Sequence, residues 1–455
     1  MNTITENTQN IKDYINFQPN ANQTQVLNQL QEFLNQNNKN TFVLTGSAGT
    51  GKTTITKALA NYLAAGEIKY YLCAPTGRAA KIISEKTEKE AITLHHLLYT
   101  VNEIKDSKGN VLQIEFKARK NISTLPTVYI VDESSMVSDL KPKGEEQFIS
   151  ENSLLFDLVA YMKDGHQDSK IIFIGDQYQL PPVKSDFSPA LNKDYLLKNY
   201  ELKVITANLS EVYRQKTDSY ILTSANKIKN AIDQPYNKFM YAYQDARNKE
   251  VFVNEYIKYQ ELDAKDTVLL GWRNISINDL NQRIRAIKFN NTAYPIVKNE
   301  QLIIAQNSYS GSALTNGTFV KVDELIKLED YQGFKFAEVK LLEVSSGDVI
   351  PGNHKIRIDF LTNKEPFLNF EDEKRLYALR MKANRKFRES KDKRDDDYLS
   401  ALKVRYGYAI TVHKSQGGEW KNVFLYPEIP FGEKAGRWLY TAVTRASEHI
   451  YSFKR

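Results

Sequence analysis

The sequence predicts an α/β fold in two halves, and three observations carry that prediction. Short apolar runs at 41–44, 70–74, 128–131, 170–174 and 203–206 alternate with helical patterns. Such alternation specifies parallel strands covered by helices, with ligands gathered at the C-terminal strand ends. A second strand–helix rhythm starts near Thr206, with a strand at 268–270 and a helix at 276–288, and returns from Tyr408 to the end. The third observation is the string Gly46-Ser47-Ala48-Gly49-Thr50-Gly51-Lys52-Thr53, set between an apolar run and the helix-like stretch that begins at Thr54.

Strand, glycine-rich turn and helix are the setting in which backbone N–H groups close on a phosphate at a helix N-terminus. Lys52 is then placed for the β- and γ-phosphates and Thr53 for Mg²⁺, so the chain is expected to bind a nucleoside triphosphate through residues 46–54. The strand at 128–131 ends in Asp132 and Glu133. Two acids at a strand end are an ordinary surface feature by themselves. After a P-loop at this distance they read as a Mg²⁺ ligand, Asp132, and the residue that orients or deprotonates the attacking water, Glu133. The strand at 170–174 leads into Gly175-Asp176-Gln177-Tyr178-Gln179, where Gln179 is placed to report on the γ-phosphate or to brace a turn.

At 455 residues the chain exceeds what one core normally serves. A formal charge of +7 suits a polyanionic partner without demanding one. The single cysteine, Cys73, lies in an apolar run and cannot form an internal disulfide or a thiolate cluster, which fits a reducing cytoplasm. Residues 1–10 lack the apolar core of a secretory signal, and no run is long enough to span a membrane. Boundaries are expected as a tail at 1–16, a first domain at 17–206 with a hairpin insertion at about 99–126, and a second at 207–455 with an insert at about 293–402. The hairpin rests on 102–116, with a turn at Lys108-Gly109-Asn110. The insert combines β-like pieces, read as a small barrel, with a charged helical stretch at 371–396.

The strings GSAGTGKTT, CAPTGRAAK, TLHHLL, DESSM, GDQYQLPPV, LSEVYRQ, YAITVHKSQGGEW and YTAVTRA, in this order over both halves, resemble the superfamily 1B helicases, which include RecD-like, Dda-like and Pif-like enzymes. Without a long N-terminal region the chain is most similar to the compact Dda-like form. The resemblance implies two RecA-like domains, with a β-hairpin inserted in the first and an SH3-like barrel plus helices inserted in the second. It makes Gln23 the adenine-reading glutamine, Arg214 and Arg445 the γ-phosphate arginines, and Tyr213 and Glu419 further nucleotide contacts, with ATP between the halves. It assigns Pro75, Thr76, Arg78, Thr93 and His95 in the first half and Asn274, Thr411, His413 and Lys414 in the second to the DNA backbone. Phe17, Trp272 and Trp420 are candidates for base stacking or for the core.

The implied activity is ATP-dependent 5′→3′ translocation on single-stranded DNA with unwinding of forked duplex. The rival is a DNA-stimulated translocase that remodels protein–DNA complexes without efficient unwinding. RNA stays open as an alternative strand, since backbone contacts alone do not read a 2′-hydroxyl. Single-strand-binding and replication, repair or recombination proteins are the candidate partners.

Overall fold

The computed structural model describes residues 10–105, 111–142, 148–211, 220–232, 243–306, 314–361, 369–432 and 434–454. The chain divides into two compact units, one of 1–103 with 113–219 and one of 104–112 with 220–455.

The first unit is built on a six-stranded parallel sheet ordered Ala91–Thr93, Tyr70–Ala74, Val128–Val131, Lys170–Gly175, Thr41–Gly46, Val204–Leu209. Successive side chains go to opposite faces. Phe42 and Leu44 join Leu27, Leu30, Phe33 and Leu59 on one face, and Val43 joins Leu94, Leu155 and Leu196 on the other. Burial of both faces is why these strands read as unbroken apolar runs. The last strand pairs with Thr41–Gly46 as far as Leu209, so the sheet continues past the expected boundary at 206. Cys73 is buried in this core, and burial pushes its thiol up to about 12, which leaves it inert at neutral pH.

Strands Tyr99–Lys105 and Val111–Ala118 form the expected hairpin, its base closed by the Arg119 N–H donating to Leu98 O at 2.7 Å. A third strand, Phe148–Ser150, runs parallel to the second arm, so the insertion is a three-stranded sheet and not two arms alone. The turn expected at 108–110 lies outside the described residues.

The second unit holds a five-stranded parallel sheet ordered Gln244–Asp245, Ala446–Ser452, Trp420–Leu425, Thr267–Gly271, Ala409–Thr411. Its insert is an antiparallel sheet ordered Val349–Arg357, Phe334–Glu343, Phe319–Tyr331, Gln301–Ile304, Val404–Tyr406. The outer ends meet: the Arg357 N–H donates to Leu402 O at 3.0 Å and the Leu402 N–H to Lys355 O at 2.7 Å, so the sheet closes on itself. Parallel sheet and insert share one core, in which Phe252, Leu269 and Phe424 continue into Leu302, Val320 and Val339. Asn281 fastens the join, since its Oδ1 accepts from the N–H groups of Tyr408 and Ala409 and its Nδ2 donates to Ala409 O. The charged stretch is not one helix. Asn384 ends Phe370–Ala383 and, by accepting from the Phe387 N–H, caps Arg385–Ser390.

No helix among the described residues is long and apolar enough to cross a membrane.

Candidate functional site

The P-loop follows strand Thr41–Gly46 and ends in helix Lys52–Ala65. Gly49 and Gly51 have φ of 81° and 93°, a region that side chains strain to enter. At Gly46 the constraint is space, because a Cβ would fall 2.7 Å from Thr50 Oγ1 and 2.9 Å from Leu209 Cβ. Gly51 caps the helix without a side chain, which leaves the first-turn amides of Lys52, Thr53 and Thr54 uncapped and aimed out of the helix N-terminus. Thr50 is buried and its Oγ1 donates to Ser47 O at 2.8 Å, which fixes the turn around Ser47 and Ala48. Lys52 Nζ curls back over the loop and donates to Gly46 O at 2.7 Å and Ser47 O at 3.0 Å.

Gln23 sits against this loop. It is the third residue of helix Ala21–Asn35, where Asn20 and Gln23 each accept from the other's backbone N–H. Its Nε2 donates to Thr50 O at 3.3 Å and would lie 2.7 Å from a Cβ placed on Gly51. The neighbouring Asn22 ties the same helix start to the end of the last strand, donating to Asn208 O and accepting from the Ser210 N–H. Sequence reasoning missed Asn22, which adjoins Gln23 and has no motif of its own. Tyr213 and Arg214 follow a few residues on and lie outside the described residues.

Asp132 and Glu133 stand at the end of strand Val128–Val131. Asp132 is buried, and its Oδ1 accepts from the Glu133 N–H at 2.7 Å. Burial first and Glu133 next push its carboxyl up to about 7, against an opposing pull from Lys52. Glu133 adopts φ 50°, unusual for a residue with a side chain, so the turn after Asp132 is held by its surroundings. Gly175 makes room for that turn, since a Cβ there would be 3.1 Å from the Ser135 N–H nitrogen. Gln179 is buried in the turn that follows, and its Oε1 has no hydrogen-bond partner among the described residues. The P-loop, Gln23, Asp132, Glu133 and Gln179 all belong to the first unit, whereas Arg445 and Glu419 belong to the second. There Arg445 is buried and donates to the carbonyl oxygens of Thr441 and Gly418, while Glu419 is exposed.

The residues assigned to the strand lie at or just past the C-terminal ends of one edge strand and its inner neighbour in each sheet. In the first unit Pro75 follows strand Tyr70–Ala74, Thr76 caps the helix Gly77–Thr87 that carries Arg78, and Thr93 ends Ala91–Thr93. Thr93 accepts from the His96 N–H at 3.1 Å, and His95 packs its ring 5.6 Å from Tyr99 and 5.5 Å from Phe116. In the second unit Thr411 ends Ala409–Thr411 and accepts from the Lys414 N–H at 3.4 Å. Asn274 is the exposed first residue of helix Asn274–Lys288, directly after strand Thr267–Gly271. His95 and His413 keep a solvent-facing side but are held below the ordinary histidine pKa by burial, His413 also by Lys434, and are neutral at pH 7. Lys414 is exposed, but the protein packed around its ammonium, and then Arg405, push it down to about 8. Trp420 is 3% exposed and is a core residue.

The AAA domain family matches residues 18–235, and the UvrD-like helicase C-terminal domain matches residues 406–451. The ATP-dependent DNA helicase dda of Enterobacteria phage T4 is 26% identical over 91% of this chain and 94% of the phage protein. The ATP-dependent RecD2 DNA helicase of Deinococcus radiodurans is 30% identical over 40% of this chain, a match that takes in 21% of that longer protein. Among solved structures, the Pif1 helicase from Bacteroides in complex with ADP-AlF3 and ssDNA shares the fold, with a TM-score of 0.51 at 15% identity over 96% of this chain and 92% of that one. The matched segments contain the P-loop, the Asp132–Glu133 pair and the Thr411–Arg445 region in the order of the sequence motifs, and over nearly its whole length the chain is similar to helicases of the RecD and Dda type.

Proposed function

We propose that this protein is an ATP-dependent DNA helicase that moves 5′→3′ along single-stranded DNA and separates duplex. The observation that carries the ATPase is the uncapped helix end at Lys52–Thr54 in the same unit as the buried Asp132 and its neighbour Glu133. Lys52 gives up two carbonyl partners to reach the phosphates, the first-turn amides hold the β-phosphate, and Glu133 takes the proton of the attacking water. Gln179 Oε1, buried with no partner among the described residues, accepts from that water. Gln23 reads adenine from its place beside Thr50, and Tyr213 and Glu419 complete the nucleotide contacts. Arg214 and Arg445 neutralise the transferred phosphoryl group, Arg445 by exchanging its carbonyl partners for phosphate oxygens.

Thr53 and Asp132 fit Mg²⁺, because a buried carboxylate raised to about 7 lacks compensating charge and both donors are hard oxygens. Among the described residues no cluster of three acids, histidines or cysteines could hold a metal, so phosphate oxygens and water would complete the shell. When bound, the ion supplies neutralisation of phosphate charge.

In each unit, threonine hydroxyls and a neutral histidine at an edge-strand end hold the sugar–phosphate backbone without reading bases, and Lys414 adds charge. The closed antiparallel sheet is the SH3-like element of the second domain, and the inert Cys73 suits a cytoplasmic enzyme. The test is unwinding of partial duplexes carrying only a 5′ or only a 3′ single-stranded tail. Strand separation confined to the 5′-tailed substrate is expected; a preference for the 3′ tail would overturn the polarity, and ATP turnover without separation of either would favour the translocase.

A further inference from the structure

Strands Thr267–Gly271 and Trp420–Leu425 are neighbours, and the chain leaves their C-terminal ends toward Trp272 and Phe431. The two rings meet edge to face, with centroids 6.4 Å apart and planes at 80°. Phe431 is 91% exposed, and Trp272 is half-buried. An aromatic held this far out of the core gains nothing from packing and keeps a face for another flat group. The surroundings indicate which. Gly271 pairs with Thr411, so Trp272 directly follows the residue beside the strand-holding threonine. Helix Lys434–Val443, three residues past Phe431, packs on the short helix Val412–Ser415 that carries His413 and Lys414. The charge of Arg273, stacked 5.7 Å from the Trp272 ring centre, is balanced by its ion pair with the buried Glu428. This corner therefore presents apolar ring faces, whereas the cations Lys414 and Lys434 lie on the adjoining helices.

We propose that Trp272 and Phe431 form a stacking platform for an unpaired base of the single strand, next to the backbone contacts of Thr411 and His413. This deepens the helicase reading and rests on it. Stacking on aromatic faces holds any base, as a sequence-independent motor requires.

The chain has three tryptophans, and the other two, Trp420 and Trp438, are 3% and 1% exposed. Quenching of tryptophan fluorescence by a bound strand therefore reports Trp272. Oligo(dT) should quench the wild-type protein, and a strand of abasic sugar–phosphate should bind without quenching. Trp272→Phe should abolish the quench while fluorescence anisotropy still shows the labelled oligonucleotide bound. Phe431→Ala should weaken oligo(dT) binding on the order of ten-fold and leave abasic binding unchanged. Oligo(dT) bound with unchanged fluorescence, or with undiminished affinity in Phe431→Ala, would overturn the platform and mark the pair as a protein-contact surface. Absence of any strand binding by anisotropy would instead remove the helicase reading on which the platform stands.

Discussion

Thr93 and Thr411 are structural equivalents in different sheets. Each ends a three-residue edge strand, with φ and ψ of −75° and 150° at Thr93 and −74° and 151° at Thr411, and each accepts from the backbone N–H three residues on. The local sequences agree, Ala91-Ile92-Thr93-Leu94-His95 against Ala409-Ile410-Thr411-Val412-His413. A hydroxyl that already accepts through its oxygen keeps its own proton for an incoming phosphate. Both histidines are neutral at pH 7, so these two positions supply hydrogen bonds and not charge.

Thr93→Ala and Thr411→Ala should consequently each weaken single-strand binding several-fold while leaving its salt dependence unchanged, because no counterion-releasing charge is lost. Each also loses a helix cap, at a cost of about 1 kcal/mol in stability. Titration of a labelled oligonucleotide at several salt concentrations checks both parts, and a flattened salt slope in either variant would contradict the assignment.

The repeat that unites these threonines shows where sequence reading ran short. Segments of five residues that differ only at Leu94 and Val412 are too short to stand out until both are seen to end edge strands and to cap helices of four or five residues. The P-loop, by contrast, was legible because its glycines answer local demands, positive φ at Gly49 and Gly51 and close approach at Gly46, that no distant residue can change. The long buried strands were legible for the same kind of reason, continuous apolar runs. Strand Phe148–Ser150 was not, since its three residues take their conformation from pairing with 114–116. Nor could composition separate Trp420, buried at 3%, from Trp272, which is only partly buried. The double engagement of Gln23, capping its own helix while bonding Thr50 O, is equally a property of packing.

At the nucleotide site, Lys52→Ala should abolish turnover, whereas Glu133→Gln should bind ATP and fail to hydrolyse it. Glu133 has a backbone φ of 50° that glutamine can occupy at the same cost, so the fold around Asp132 survives the exchange. Nucleotide binding measured by calorimetry beside DNA-stimulated phosphate release separates the two. Wild-type turnover in either variant would remove these residues from the site.

Lys414 gives the strand grip a pH dependence. Partial loss of hydration around its ammonium, and then Arg405, bring it down to about 8, so its charge is present below that pH and lost above it. A phosphate prefers the charged form, and affinity should therefore fall as pH rises from 7 to 9. Lys414→Arg, charged throughout this range, should bind with no such decline. Lys414→Ala should bind more weakly at pH 7 with a shallower salt slope, by about one unit. The same oligonucleotide titration at pH 7, 8 and 9 decides the matter, and an equal decline in wild type and Lys414→Arg would assign the effect elsewhere.

The hairpin separates motor from wedge. Moving along one strand needs only cycles of ATP-driven change, but opening a duplex also needs an obstacle where each base-pair step costs roughly 1–2 kcal/mol. Removing 102–116 outright would confuse the two roles, because Phe116 supports the His95 ring at 5.5 Å and 114–116 pair with Phe148–Ser150. Replacing 103–112 by a short Gly/Ser turn keeps those contacts and takes away only the projecting arms. The variant should retain most single-strand-stimulated ATP hydrolysis and single-strand affinity and lose most unwinding of a 5′-tailed duplex. Full unwinding by this variant would show the hairpin to be a surface ornament and would move the search for the wedge to the closed antiparallel sheet between Gln301 and Tyr406.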